Sequence, residues 1–360
     1  MPRNPIPTCL LLFLLPATLD AQRTERYTLP GDDAAIYNLA GNVRIEAGDG
    51  GVTVQVTRAG GDAARLEVAQ GEIDGHPTLR VVYPGDRIRY TAGGRSSSTQ
   101  LRVRDDGTFG HLDDDDGERH GRGGREEGRR VTIGGERQGL DASADLLVRV
   151  PRGGTVAVFL AVGAVTVGNV DGELVVDARS APVTASGTRG ALSIDVGSGT
   201  VQVSDAQGDL SVETGSGSVE LSRFRGGALS IDTGSGDVTG TGLESAELSV
   251  ETGSGDIRLS GVAAPTLSLE TGSGAVTAEL RQDIASLEVG TGSGDIAIRA
   301  PASLGATVEL ETASGDIETD FPLQVTRRGR DHVTGTIGDG KGTIEIETGS
   351  GGISLLKARS

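Results

Sequence analysis

The chain has 360 residues with 58 glycines, four tyrosines, five phenylalanines and no tryptophan, and its apolar share is 36%. That excludes a large core on aromatic anchors and suits a thin core of Val, Ile, Leu and Ala repeated many times; without a Gly-X-Y period it also excludes collagen. Fifty-one acids against 33 bases leave a formal charge of −18, which argues against nucleic acid and anionic lipid as partners.

Residues 1–21 read as a secretory signal peptide. Arg3 supplies a positive start, and the apolar run at 9–15 (CLLLFLL) is too short to span a membrane. Cleavage is expected after Ala21, which implies export to the periplasm, the outer surface or the medium. Cys9 is the single cysteine, so disulfides have no part in the mature chain. No later run reaches about 18 apolar residues, so no transmembrane helix is expected.

Residues 22–91 alternate without a clear repeat. Val43 and Ile45, then Val52, Val54 and Val56, flank a glycine-rich break at 48–51. This reads as an N-terminal β-region, either an irregular first coil or a cap. Residues 92–138 carry SSS, DDDD and mixed Gly, Arg and Glu, and read as a solvated, disordered insertion. His111, Asp113 to Asp116 and His120 lie there. Their composition is metal-like, but competing arginines favour a solvated charge run.

From 139 to 360 the chain repeats. Gly-Ser-Gly recurs with first glycines at Gly197, Gly215, Gly234, Gly253, Gly272, Gly292 and Gly349, with a variant at Ala313 and degenerate copies at Arg179 and Ala161. Most spacings are 18–21 residues; one gap, from 313 to 349, is 36. Residues 248–262 (LSVETGSGDIRLSGV) alternate strictly on both sides of the break, which gives two short strands joined by a tight corner. Stacked coil on coil, such pairs form parallel ladders and a continuous core. The fold expected is therefore an all-β, single-chain parallel β-solenoid, a rod of roughly 50 Å for about ten coils at ~4.8 Å each. Leu192, Leu210, Leu229, Leu248, Leu267 and Leu287 form one inward column; Ile194, Val212, Ile231, Val250, Leu269 and Val289 form the next. The wide gap is expected to hold one larger coil, with 353–356 (ISLL) as the terminal strand and these last coils as the C-terminal cap.

Several segments carry a resemblance: 148–154 (VRVPRGG), 251–257 (ETGSGDI), 316–322 (DIETDFP), 335–338 (GTIG) and 346–353 (IETGSGGI). Together they resemble the bacterial "putative adhesin" family, a secreted β-solenoid domain of unknown function. The resemblance covers 139–356, extends faintly to 37–43, and implies the fold without supplying catalytic or binding residues.

The outward position before Thr-Gly carries Asp177, Asp195, Glu213, Asp232, Glu251, Glu270, Glu311 and Glu347, interrupted at Gly290. Stacking turns these into a carboxylate ladder whose neighbours, ~4.8 Å apart, repel by roughly 0.9 kcal/mol in water. A second column after the corner holds Asp237, Asp256, Asp295 and Asp316. The two columns make Asp232, Glu251, Glu270, Asp237 and Asp256 candidates for weak Ca²⁺ or Mg²⁺ binding, against the reading favoured here, a solvated acidic face that binds no cofactor.

The corner serines are expected to hydrogen-bond the turn backbone, since Gly-Ser-Gly is not a hydrolase elbow and no histidine repeats beside it. The inner threonines are expected to form a hydroxyl ladder. Arg327, Arg328, Arg330 and His332 are a basic cluster that could meet an acidic polysaccharide.

The function expected is a non-enzymatic adhesin or structural protein of the envelope, with an extracellular glycan or envelope protein as partner. The alternative is a carbohydrate-active β-helix enzyme on an extracellular polysaccharide, which needs a local groove of acids and bases. An ice-binding rod is disfavoured, because the second-strand column mixes Thr184, Gln202, Glu220, Thr239, Arg258, Thr277 and Ala297.

Overall fold

A computed structural model describes residues 24–91, 98–110, 128–136, 138–329 and 331–358. The expected signal peptide and the His111–His120 charge run lie outside the described residues.

The repeat half is a parallel β-solenoid. Each coil gives one strand before its corner and one after. Before the corner, Gly172–Ser180, Leu192–Ser198 and Leu210–Ser216 pair in parallel, and the ladder runs on through Val219–Thr233, Val238–Thr252, Thr266–Thr271 and Ser286–Thr291. A second ladder joins the strands after the corner. The six-leucine column is in register and at most 3% exposed, and the Ile/Val column beside it is equally buried. Alternation alone fixes this facing, because a one-residue slip would turn every leucine outward.

The corners explain the glycines. The second glycine of each triplet donates its N–H to the serine carbonyl of the next coil, as Gly236 does to Ser254 at 3.1 Å. Gly236 has φ +153°, and a Cβ there would lie 2.2 Å from the Gly217 carbonyl oxygen one coil away. Both the backbone angle and the close stacking demand glycine.

The threonines behave differently from the expected ladder. Thr252 donates to Gly236 O at 3.3 Å, Thr271 to Gly255 O at 3.1 Å and Thr291 to Gly274 O at 3.1 Å. In these three coils the hydroxyl satisfies a part-buried corner carbonyl of the neighbouring coil instead of another threonine, whereas the buried hydroxyls of Thr214 and Thr233 have no partner among the described residues. The serine hydroxyls also depart from expectation. The backbone bonds at the corners run from glycine N–H groups to serine carbonyls, and among the described residues the corner serine Ser198 bonds another hydroxyl, that of Ser180, at 3.4 Å.

Both ends break sequential order. At the N-terminal end, Asp33–Ala47 is a full coil. It pairs in parallel with Gly154–Gly168 on one side, and with His76–Val82 and Ser143–Val150 on the other. Antiparallel strands then cover the end: Thr53–Ala59 on Ser143–Val150, Thr24–Thr28 on Thr53–Ala59, and Glu67–Ile73 on His76–Val82. In this coil the threonine column is occupied by Asn38, buried and fully bonded. Its amide donates to Ala144 O at 2.7 Å, and its oxygen accepts from Tyr83 at 2.8 Å.

The C-terminal expectation needs correction. Gly342–Thr348 stacks directly on Ser286–Thr291, and Ala306–Thr312 lies outside it. Likewise Ile353–Lys357 sits between Ile296–Ala300 and Ile317–Thr319. The last coil is thus interior. The true cap is Ala306–Thr312 followed by two antiparallel strands, His332–Ile337 and Leu323–Arg328. Side chains account for the order: Ile353 and Leu355 are fully buried, whereas Ile317–Thr319 has none buried and tolerates the end position.

The expectation of disorder over 92–138 is also corrected at both flanks. Ser98–Val103 and Arg129–Gly134 pair antiparallel, and Arg87–Arg89 adds a third strand. Beyond them Phe109, 2% exposed, packs edge-on against Tyr37 and Phe159, which stack at 4.4 Å. Tyr37 and Phe159 occupy the outward column, and Phe109 covers them. Residues 111–127 lie outside the described residues.

Candidate functional site: the acidic face

Strand register assembles the outward column as expected and shows where it begins and ends. Tyr37, Phe159, Asp177, Asp195, Glu213, Asp232, Glu251, Glu270, Gly290, Glu347, Glu311 and His332 follow one another across the ladder. Asp232, Glu251 and Glu270 are exposed and, among the described residues, form no ion pair with Lys or Arg. Two residues earlier on the same face, serines give way to Glu288, Glu345 and Glu309. Carboxylates therefore crowd toward the C-terminal end, in two adjacent columns.

Asp237 and Asp256 do something else. Asp237 Oδ1 accepts the Asp256 N–H at 2.9 Å, and Asp256 Oδ1 accepts the Ala275 N–H at 2.8 Å. Asp295 repeats the contact to Gly352 at 2.8 Å. Each aspartate thus clips its coil to the next. Arg258 lies 3.6 Å from Asp237 and bonds Asp256. The Ala275 N–H, with the Arg258 guanidinium behind it, holds the Asp256 carboxyl below the usual aspartate range. Sequence periodicity found this column but not its role, since the acceptor's partner is a backbone group one coil away.

Of the basic cluster, Arg327 and Arg328 lie on the strand paired antiparallel with the one that carries His332. Arg327 and Arg328 are exposed on the outermost strand, and Arg330 lies outside the described residues. His332 turns toward the acidic column, with Nδ1 3.8 Å from Glu311 Oε2.

A shallow cleft of about 460 Å³ opens on a third edge, lined by Arg225, Glu244, Ala263 and Arg281 among others. The small Ala263 leaves the notch in a column of longer side chains. Glu244 is its sole lining carboxylate, paired to Arg225 at 2.8 Å and to Arg281 at 3.9 Å. A glycosidase would need two carboxyl groups flanking its bond, and this cleft does not assemble such a pair.

The family model described as Toastrack DUF4097 matches residues 125–356. The chain belongs to this Toastrack family. The match takes in the whole repeat, including the inverted last coils. No curated protein matches. Among solved structures, a Parabacteroides distasonis protein described as a putative adhesin is 13% identical, with a TM-score of 0.42, covering 93% of this chain and 96% of its own. Another from that organism, described as a putative lipid binding protein, is 10% identical at TM-score 0.37, covering 94% and 96%. A Parabacteroides merdae putative adhesin is 11% identical at TM-score 0.32, covering 94% and 96%. Likeness at this level carries nothing about what the Toastrack chain binds. No helix among the described residues is long and apolar enough to cross a membrane.

Proposed function

We propose that this Toastrack protein is a non-enzymatic recognition or structural rod of the cell envelope, exported by its N-terminal segment. The carrying observation is the exposed carboxylate series Asp232, Glu251 and Glu270, which pairs with no Lys or Arg among the described residues and is held at strand spacing on a rigid ladder. Such a face suits a cationic partner, a basic segment of an envelope protein or an amino-sugar glycan, because complementary charge steers and orients encounter.

The test is pull-down from envelope extract and an array of amino-sugar and acidic glycans, at low and at physiological salt. Binding to cationic ligands that weakens with salt, and weakens again in the triple variant Asp232→Asn, Glu251→Gln, Glu270→Gln, is the expected result. Unchanged binding by the triple variant overturns the assigned face. Turnover of any polysaccharide on the array overturns the non-enzymatic reading.

A further inference from the structure

The geometry points to a zinc-type transition-metal site formed by Glu309, Glu311 and His332 at the C-terminal end of the rod. One ligand atom from each of the three lies within 4.8 Å of the others. Two strands fix this arrangement: Glu311 is directly opposite His332 in the antiparallel pair, and Glu309, two residues earlier, projects from the same face. A tetrahedral ion with bonds of about 2.0–2.2 Å holds its ligand atoms roughly 3.4 Å apart. Rotation of the two exposed glutamates closes that difference without moving the backbone.

The histidine distinguishes this cluster from the rest of the acidic face. Its side chain is 20% exposed, and Glu311 Oε2, its ion-pair partner among the described residues at 3.8 Å, is beyond hydrogen-bond reach. The imidazole makes no side-chain hydrogen bond among the described residues. A largely sheltered ring nitrogen beside two carboxylates is a mixed nitrogen–oxygen donor set, which favours zinc, copper or nickel over calcium or magnesium. Glu345 and Glu347 flank the cluster in register on the next strand inward. Among the described residues, neither they nor Glu309 pairs with Lys or Arg, so negative charge accumulates where a cation would relieve it. A bound ion would tie Ala306–Thr312 to His332–Ile337 and hold the outermost strands of the cap against the rod.

Calorimetric titration of the full protein with Zn²⁺ and, separately, Ca²⁺ tests the site. His111→Gln and His120→Gln serve as background substitutions so that neither histidine contributes. One zinc per chain is expected, bound at least about tenfold more tightly than calcium. His332→Gln and, separately, Glu309→Gln are each expected to weaken zinc binding about tenfold or more, leave the calcium titration unchanged and abolish the zinc-dependent rise in Tm. Equal affinity for the two ions, or unchanged zinc binding by either variant, overturns the site and leaves a diffuse acidic face. If His332→Gln fails to fold, as read by circular dichroism, Glu309→Gln decides alone.

Discussion

At the corners a single atom decides the sequence. Gly294 has φ +152°, and an added Cβ would lie 2.0 Å from the Gly274 carbonyl oxygen and 2.6 Å from its carbon. Neither partner is a side chain that can swing aside. Gly294→Ala is therefore expected to destabilise by at least the 1–3 kcal/mol typical of a strained backbone angle, plus a forced shift between coils; urea unfolding measures it, and a change under about 0.5 kcal/mol would contradict the stacking described. The aspartate clips make a second claim at this scale. Asp256 has its carboxyl pKa lowered in the fold, chiefly by the Ala275 N–H. A depressed carboxyl contributes fully above its unfolded value and loses that contribution as pH falls through the lowered folded value. The Tm gap between wild type and Asp256→Ala should be full at pH 7 and narrow below about pH 4. A gap that widened on acidification would reverse the sign of the argument.

Among the elements, the segment that joins the N-terminal cap to the repeat shows what alternation reveals and what it hides. Leu101 faces Val131, with Val103 and Ile133 two residues away on the same face, in an antiparallel strand pair with the same period-two signal as the rungs, but charged neighbours and a long polar stretch between the strands mask it. Phe109 gives no periodic signal at all. Its partners Tyr37 and Phe159 sit on the outward side of the coils, where the repeat elsewhere places carboxylates. Aromatics at polar positions imply a cover, and that inference needs the register between residues 37 and 159. Phe109→Ala should cost about 3 kcal/mol, as for other buried phenylalanines, by exposing the Tyr37–Phe159 stack. Chemical denaturation at unchanged strand content checks this, and wild-type stability would show that Phe109 merely rests there. The repeat itself was legible because each rung carries the same residues in the same phase. The leucine and Ile/Val columns, the corner glycines and the acidic column all follow from it. The metal cluster was not legible: Glu309, Glu311 and His332 meet only through an antiparallel reversal that no period announces.

For the whole molecule, the decisive feature is the exchanged order of the last coils. Residues 342–357 provide both the parallel neighbour of Ser286–Thr291 and the parallel neighbour of Ala306–Thr312. Truncation after Asp339 should therefore release more than it removes. Amide protection is expected to vanish across 306–337 as well, where a sequentially stacked rod would lose only the deleted coil. Hydrogen exchange on the truncated chain reads this directly, and retained protection in Ala306–Thr312 would mean that the outer coil can seat on the rod by itself.

The exchange also governs how such a rod can change length over generations. A new unit added after the final strand would find both faces of that coil already paired, and a unit added at the start would meet antiparallel strands. Only tandem duplication within the uniform stretch, where threonine, glycine and leucine columns continue unchanged from one coil to the next, yields a copy that fits on both sides. Lineages carrying this architecture should differ in their number of middle repeats while their first and last coils stay the same in number and arrangement.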